Sequence, residues 1–141
     1  KIELKWIPFL GWAMQMAGHV FVDRSKHENA MLSIKSIKNS LLKRPRSILL
    51  FPEGFRTKDG QVNQFKSGGL SLGIEAKLPI APVAIIGTFD SLKKGSKLFI
   101  NNLLIIKVGN PIDTRGYIEK DRKILANIVC DRVKELKNDH S

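Results

Sequence analysis

The residues with the clearest chemical potential lie in one stretch, Leu50-Phe51-Pro52-Glu53-Gly54-Phe55-Arg56-Thr57. It combines a carboxylate (Glu53), a flexible glycine (Gly54) and a guanidinium (Arg56). The apolar run over 47–51 predicts a strand that gives the turn a rigid base. Pro52, lacking an N–H, ends the pairing, and Gly54 permits a sharp turn or a close backbone approach to a ligand. Arg56 offers a planar fork of donors suited to phosphate or carboxylate. The plainer alternative is a strand ending in a turn, with Glu53 and Arg56 as a surface ion pair. Downstream, Phe65-Lys66-Ser67-Gly68-Gly69 opens a predicted helix running to about Lys77. A glycine-bearing turn ahead of a helix N-terminus holds an anion on backbone N–H groups; alternatively, Gly68-Gly69 is simply a tight packing point.

These residues need elements to position them, and hydropathy periodicity supplies a set. Residues 6–18 (WIPFLGWAMQMAG) form an apolar segment with Pro8 at a helix start and Gly18 at its end. It is either a buried helix or one lying at an interface or lining an acyl groove, where Trp and Met are favoured. Residues 19–23 (HVFVD) predict a short strand. Ser25-Lys26-His27-Glu28 is a capping-box pattern. The helix it opens carries Ala30, Met31, Ile34, Ile37 and Leu41 on one face and ends near Arg44-Pro45. Residues 79–87 (PIAPVAIIG) read as a strand buried on both faces. Residues 93–97 read as a basic hairpin-like tip, 103–108 as another apolar strand, and 118–137 as a helix with Leu125, Ile128, Val129, Val133 and Leu136 inward. The order helix, strand, helix, strand, helix, strand, strand, helix predicts an α/β fold with a mixed, largely parallel sheet flanked by helices. All 141 residues read as a single domain.

Composition narrows the function classes. With 43% hydrophobic and 26% charged residues, the chain is a folded globular one and not a disordered one. Its 24 basic and 13 acidic side chains give a net charge of +11. Such a field attracts polyanions: nucleic acid, an anionic membrane surface, or phosphorylated and CoA-like ligands. The single cysteine, Cys130, excludes an intrachain disulfide and a zinc-type cysteine cluster. No run reaches the roughly 18 apolar residues of a membrane span.

With the segments in order, the chain resembles the glycerolipid acyltransferase family, and most of all its 1-acyl-glycerol-3-phosphate (lysophosphatidate) acyltransferases. Gly18-His19-Val20-Phe21-Val22-Asp23-Arg24 fits the family's G-x-x-F-[IV]-D-R. Residues 51–57 fit F-P-E-G-T-R-S, followed by F-K-x-G at Phe65 to Gly68, and Leu78-Pro79-Ile80-Ala81-Pro82-Val83 fits an apolar V-P-I-x-P-V block. Lys1-Ile2-Glu3-Leu4 and Ile7-Pro8-Phe9-Leu10-Gly11 resemble the stretch preceding these blocks. Two departures stand out. Phe55 occupies the position of the usual Thr, which would affect loop packing or acceptor fit. The family's catalytic His-x-x-x-x-Asp block matches no histidine here, since His19 and Asp23 are one residue too close and Leu32 lies five residues beyond His27. The resemblance thus places the catalytic pair upstream of Lys1, making this an N-terminally truncated acyltransferase domain.

The resemblance implies acyl transfer from acyl-CoA or acyl-carrier protein to the sn-2 hydroxyl of 1-acyl-glycerol-3-phosphate, giving phosphatidic acid. A His serves as general base and an Asp orients it, with no metal or bound cofactor. Arg56 and Arg24 would bind the acceptor phosphate, with Lys1 and Lys66 as further cations and Gly54 shaping the turn. Glu53 would bind glycerol hydroxyls or hold Arg56, while Asp23 would pair Arg24 or cap its turn. The expected partners are lysophosphatidate, the acyl donor and a membrane surface, and not nucleic acid. The expected location is the cytoplasmic face of a membrane, the bacterial inner membrane, reached peripherally or through an N-terminal anchor. Two alternatives remain open from sequence: another acceptor, such as glycerol-3-phosphate or a different lysophospholipid, and a basic non-catalytic nucleic-acid-binding module. The latter has the charge in its favour and no nucleic-acid motif. A general base typically supplies about 10²–10⁴-fold of rate, so the isolated 141-residue chain is expected to show no turnover above background with lysophosphatidate and acyl-CoA. Robust turnover by that chain would contradict the reading.

Overall fold

The computed structural model describes residues 47–91 and 100–139, together with Phe9, Trp12, Ala13, Met16, Ile37, Asn39, Ser40, Leu41 and Lys43. The chain divides into two compact units, Lys1–Ser47 and Ile48–Ser141.

In the first unit, Trp12, Ala13 and Met16 are helical, and the Ala13 N–H donates to Phe9 O at 2.9 Å. Phe9 takes a left-handed φ of 63° and meets Trp12 edge-on, with ring centroids 6.0 Å apart. Phe9, Trp12 and Met16 are all exposed, which departs from a buried helix and fits the interfacial alternative. Ile37, Leu41 and Lys43 are also helical. Leu41 is buried and Ile37 half-buried, as the apolar face predicts, and Asn39, off that face, is exposed. The predicted strand over 19–23, with Arg24, and the capping box at 25–28 lie outside the described residues, as does the basic tip at 93–97.

The second unit is organised around its last helix. Helix α1 (Ser67–Ala76) turns Leu70, Leu72 and Ile74 inward. It ends in a Schellman motif: Lys77 takes a left-handed φ of 54°, its N–H donates to Ile74 O, and the Leu78 N–H donates to Gly73 O at 3.0 Å. Strand β1 (Val83–Ile86) pairs antiparallel with strand β2 (Ile105–Val108), with Val83 opposite Val108 and Ile86 opposite Ile105. A short helix α2 (Thr88–Ser91) follows β1. It starts after Gly87, whose φ of +88° and closeness to Leu103 O leave no room for a side chain. A 3₁₀ turn (Glu119–Asp121) leads into α3 (Arg122–Asn138). Helix α3 buries Leu125, Ala126, Val129, Cys130 and Val133 against Phe65, Leu70, Ile74 and Ala84. One apolar core therefore joins α1, α3 and β1.

The α/β class holds, and the details differ in instructive ways. The pairing described is antiparallel, so the expected parallel component has no counterpart among the described residues. Residues 47–51 are not a strand, and Leu49 and Phe51 are 74% and 66% exposed. Apolar, β-prone composition favours an extended chain but does not supply a ladder partner. The strand expected over 79–87 begins only at Val83. Pro79 and Pro82 have no N–H to give, so Ile80 makes an isolated bridge to Ile112 instead. Its expected double burial also fails at Ile85, which is exposed. The helix expected from 118 starts at Arg122, because the Asp121 carboxylate accepts the Ile118 N–H at 3.0 Å and holds a 3₁₀ turn ahead of it.

Leu125 is 0% exposed at the centre of this core. Leu125→Ala should therefore cost about 2–5 kcal/mol of stability in urea unfolding; a loss within error of zero would show that α3 is not the packing centre.

Candidate functional site

Residues 52–66 form a closed loop between the apolar 47–51 segment and α1. The Lys66 N–H donates to Pro52 O at 2.9 Å, pinning the two ends together. Inside this closure the Glu53 Oε2 accepts two hydrogen bonds from Asn63, one from its backbone N–H at 3.0 Å and one from Nδ2 at 3.2 Å. Both are part-buried and charge-assisted, the stronger class of hydrogen bond. Gly54 turns the chain with φ +78°, and its N–H donates to Phe51 O at 3.2 Å. A Cβ at Gly54 would sit 3.3 Å from Cε and 3.4 Å from Nζ of Lys66. The missing side chain is what lets the Lys66 stem lie over the turn.

The far end of the loop is a second, self-contained turn. The Asp59 Oδ1 accepts from the Gln61 N–H at 3.0 Å and from the Thr57 hydroxyl at 2.8 Å. The Gln61 amide first, and the Thr57 hydroxyl next, hold the Asp59 carboxyl below its ordinary range. Helix α3 supports this turn from outside. Lys137 Nζ donates to Gly60 O, and Cys130 Sγ lies 3.5 Å from Asn63 O.

Within this frame, the cations stand apart from the carboxylates. Arg56 is exposed, and neither Arg56 nor the Lys66 ammonium forms an ion pair with a carboxylate among the described residues. The surface pair of Glu53 with Arg56 is therefore not formed; Glu53 is engaged by Asn63, ten residues downstream. Lys66 precedes the first turn of α1, which contains no acidic side chain. The positive end of that helix dipole therefore lies beside Lys66. A loop with this electrostatics suits a small dianion such as a phosphate ester. Phe55, beside Arg56, is 59% exposed.

Of the residues singled out from sequence, the structure gathers Glu53, Gly54, Arg56 and Lys66 on one loop and brings Lys66 against Gly54. Arg24 and Lys1 lie outside the described residues. Sequence reasoning did not identify Asn63, Asp59 or Lys137. Asp59-Gly60 carries a turn signal that marks one of them; Asn63 and Lys137 matter through tertiary contacts that no local pattern encodes. Among the described residues there is no group of three or more His, Cys, Asp or Glu able to hold a metal ion.

The acyltransferase family pattern matches residues 1–86. A 1-acyl-sn-glycerol-3-phosphate acyltransferase of Cocos nucifera is 32% identical over 120 residues, covering 85% of this chain and 39% of the relative. The enzyme of the same name from Saccharomyces cerevisiae is 32% identical, covering 86% and 41%, and that of Salmonella typhimurium is 34% identical, covering 83% and 47%. The chain thus spans less than half the length of these relatives. The crystal structure of the 1-acyl-sn-glycerophosphate (LPA) acyltransferase PlsC from Thermotoga maritima superimposes with a TM-score of 0.74 at 31% identity, covering 99% of this chain and 56% of that one. With the family pattern running through the 52–57 turn and into β1, this chain belongs to the acyltransferase family.

Proposed function

We propose that the complete protein carrying this chain transfers an acyl group from acyl-CoA or acyl-carrier protein to the sn-2 hydroxyl of 1-acyl-glycerol-3-phosphate, forming phosphatidic acid. In this reading Arg56 and Lys66 bind the acceptor's phosphate. The observation that carries it is the closed 52–66 loop, which hydrogen-bonds its own carboxylates internally and leaves Arg56 and Lys66 without carboxylate partners among the described residues. The similarity to 1-acyl-sn-glycerol-3-phosphate acyltransferases supports the same acceptor.

The chemistry divides between this loop and the His/Asp pair that the family resemblance implies. The imidazole takes the proton of the acceptor hydroxyl as its oxygen attacks the thioester carbonyl. The tetrahedral species then collapses with loss of the thiolate, which takes up a proton. The loop's part is to fix the phosphate, and with it the glycerol hydroxyl, relative to the base. Arg24 and Lys1 are proposed as additional phosphate cations on the same grounds of resemblance. Glu53 is assigned a framing role, because its Oε2 is already occupied by Asn63.

We also assign the protein to a membrane surface, at its cytoplasmic face. Leu49, Phe51 and Phe55 are exposed beside the cationic loop, and the chain carries a net charge of +11. Apolar side chains next to basic ones suit a lipid acceptor held in an anionic bilayer. Among the described residues no helix is long and apolar enough to cross a membrane.

Arg56→Ala in the complete protein should raise KM for lysophosphatidate by about 10- to 100-fold, the loss of one charge-assisted hydrogen bond. The circular dichroism spectrum should stay unchanged. An unaltered KM would contradict the assignment of Arg56 to the phosphate.

A further inference from the structure

The helix that packs the core also reaches the candidate site. Cys130 and Lys137 are seven residues apart on α3, two helical turns, and so lie on the same side of the cylinder. Both touch the 52–66 loop: Cys130 Sγ approaches Asn63 O, and Lys137 Nζ donates to Gly60 O. The contact at Gly60 is the closer to Arg56. Gly60 sits in the turn that Asp59 organises, and that turn starts at Thr57, the residue after Arg56. Gly60 itself is held at φ +80° with Phe89 against it, where a Cβ would lie 3.2 Å from the ring. The carbonyl thus points in a defined direction, and the lysine meets it. Lys137 is half-buried and stands in the last turn of α3, where the helix dipole favours a cation.

We propose that Lys137 is a positioning residue for acceptor binding: by tethering Gly60 to α3 it fixes the turn after Arg56, and so the direction of the guanidinium. This inference rests on the reading of Arg56 as a phosphate ligand. Lys137 touches no reacting atom in it. The hydrogen bond to the carbonyl is the active feature, and the Lys137 charge, which also acts on the Asp59 carboxylate, is secondary to it.

The test uses three variants of the complete protein, assayed with lysophosphatidate and acyl-CoA, and amide hydrogen exchange across residues 56–61. Lys137→Met removes the donor and is expected to raise KM for lysophosphatidate about tenfold, the scale of one charge-assisted hydrogen bond, with kcat changed less than about twofold. The 56–61 amides should exchange faster in that variant. Lys137→Gln keeps an N–H donor without the charge and is expected to restore most of the KM and of the protection. Arg56→Ala serves as the reference. If Arg56→Ala raises KM and Lys137→Met does not, the positioning role falls while the phosphate reading stands. If Lys137→Gln is as impaired as Lys137→Met, the charge and not the tether is what matters, and the proposal is overturned. If Arg56→Ala leaves KM unchanged, the phosphate reading falls first and takes the positioning role with it.

Discussion

Everything proposed for this chain depends on where the Glu53 carboxylate is spent. An acidic residue three positions from an arginine would, left alone, pair with it and cancel the charge that a phosphate needs. Here the Glu53 Oε2 is held by the backbone and side-chain N–H groups of Asn63. Those contacts also join the two arms of the loop, so the bonds that remove the competitor shape the proposed binding surface too. Two charge-assisted, part-buried hydrogen bonds are worth about 1.5–3 kcal/mol each. That is enough to outcompete an exposed ion pair, which typically contributes about 0–1 kcal/mol. Asp59 is handled the same way at the far end, by Thr57 and Gln61.

The loop is short of internal apolar contacts, and it borrows rigidity from its surroundings. Phe65, at its end, enters the core with Leu70, Ile74, Leu125 and Val129. Lys66 continues directly into α1, and α3 reaches it at Asn63 and Gly60. A binding surface on a loop gains precision when packed helices fix it at several points. The sequence separation between Gly60 and Lys137 shows how far along the chain that support is drawn.

Much of this was legible in the sequence. The turn at 52–57, the helix after Lys66 and the final amphipathic helix are carried by local signals: Pro52 and Gly54, apolar spacing, and the run of inward residues on α3. The motif blocks carried the family. What escaped has a common cause. Residues 47–51 look like a strand, but ladder formation needs a partner that composition does not name. Pro79 and Pro82 were visible, yet an apolar run hid how far they would shorten β1. The Glu53–Arg56 pair was plausible from spacing alone, and only the fold brings Asn63 to Glu53. Local rules specify elements and turns; contacts between residues distant along the chain decide which side chains remain available.

The proposed role requires that the 52–66 loop is preformed, with its carboxylates hydrogen-bonded and its cations presented. Backbone amide NMR of the complete protein, titrated with sn-glycerol 3-phosphate as the probe, tests it directly. A preformed loop gives saturable shifts centred on Gly54, Arg56, Lys66 and Ser67, while the Asn63 amide remains protected from exchange throughout. Shifts centred elsewhere, or an Asn63 amide that is unprotected until the ligand is added, would contradict it.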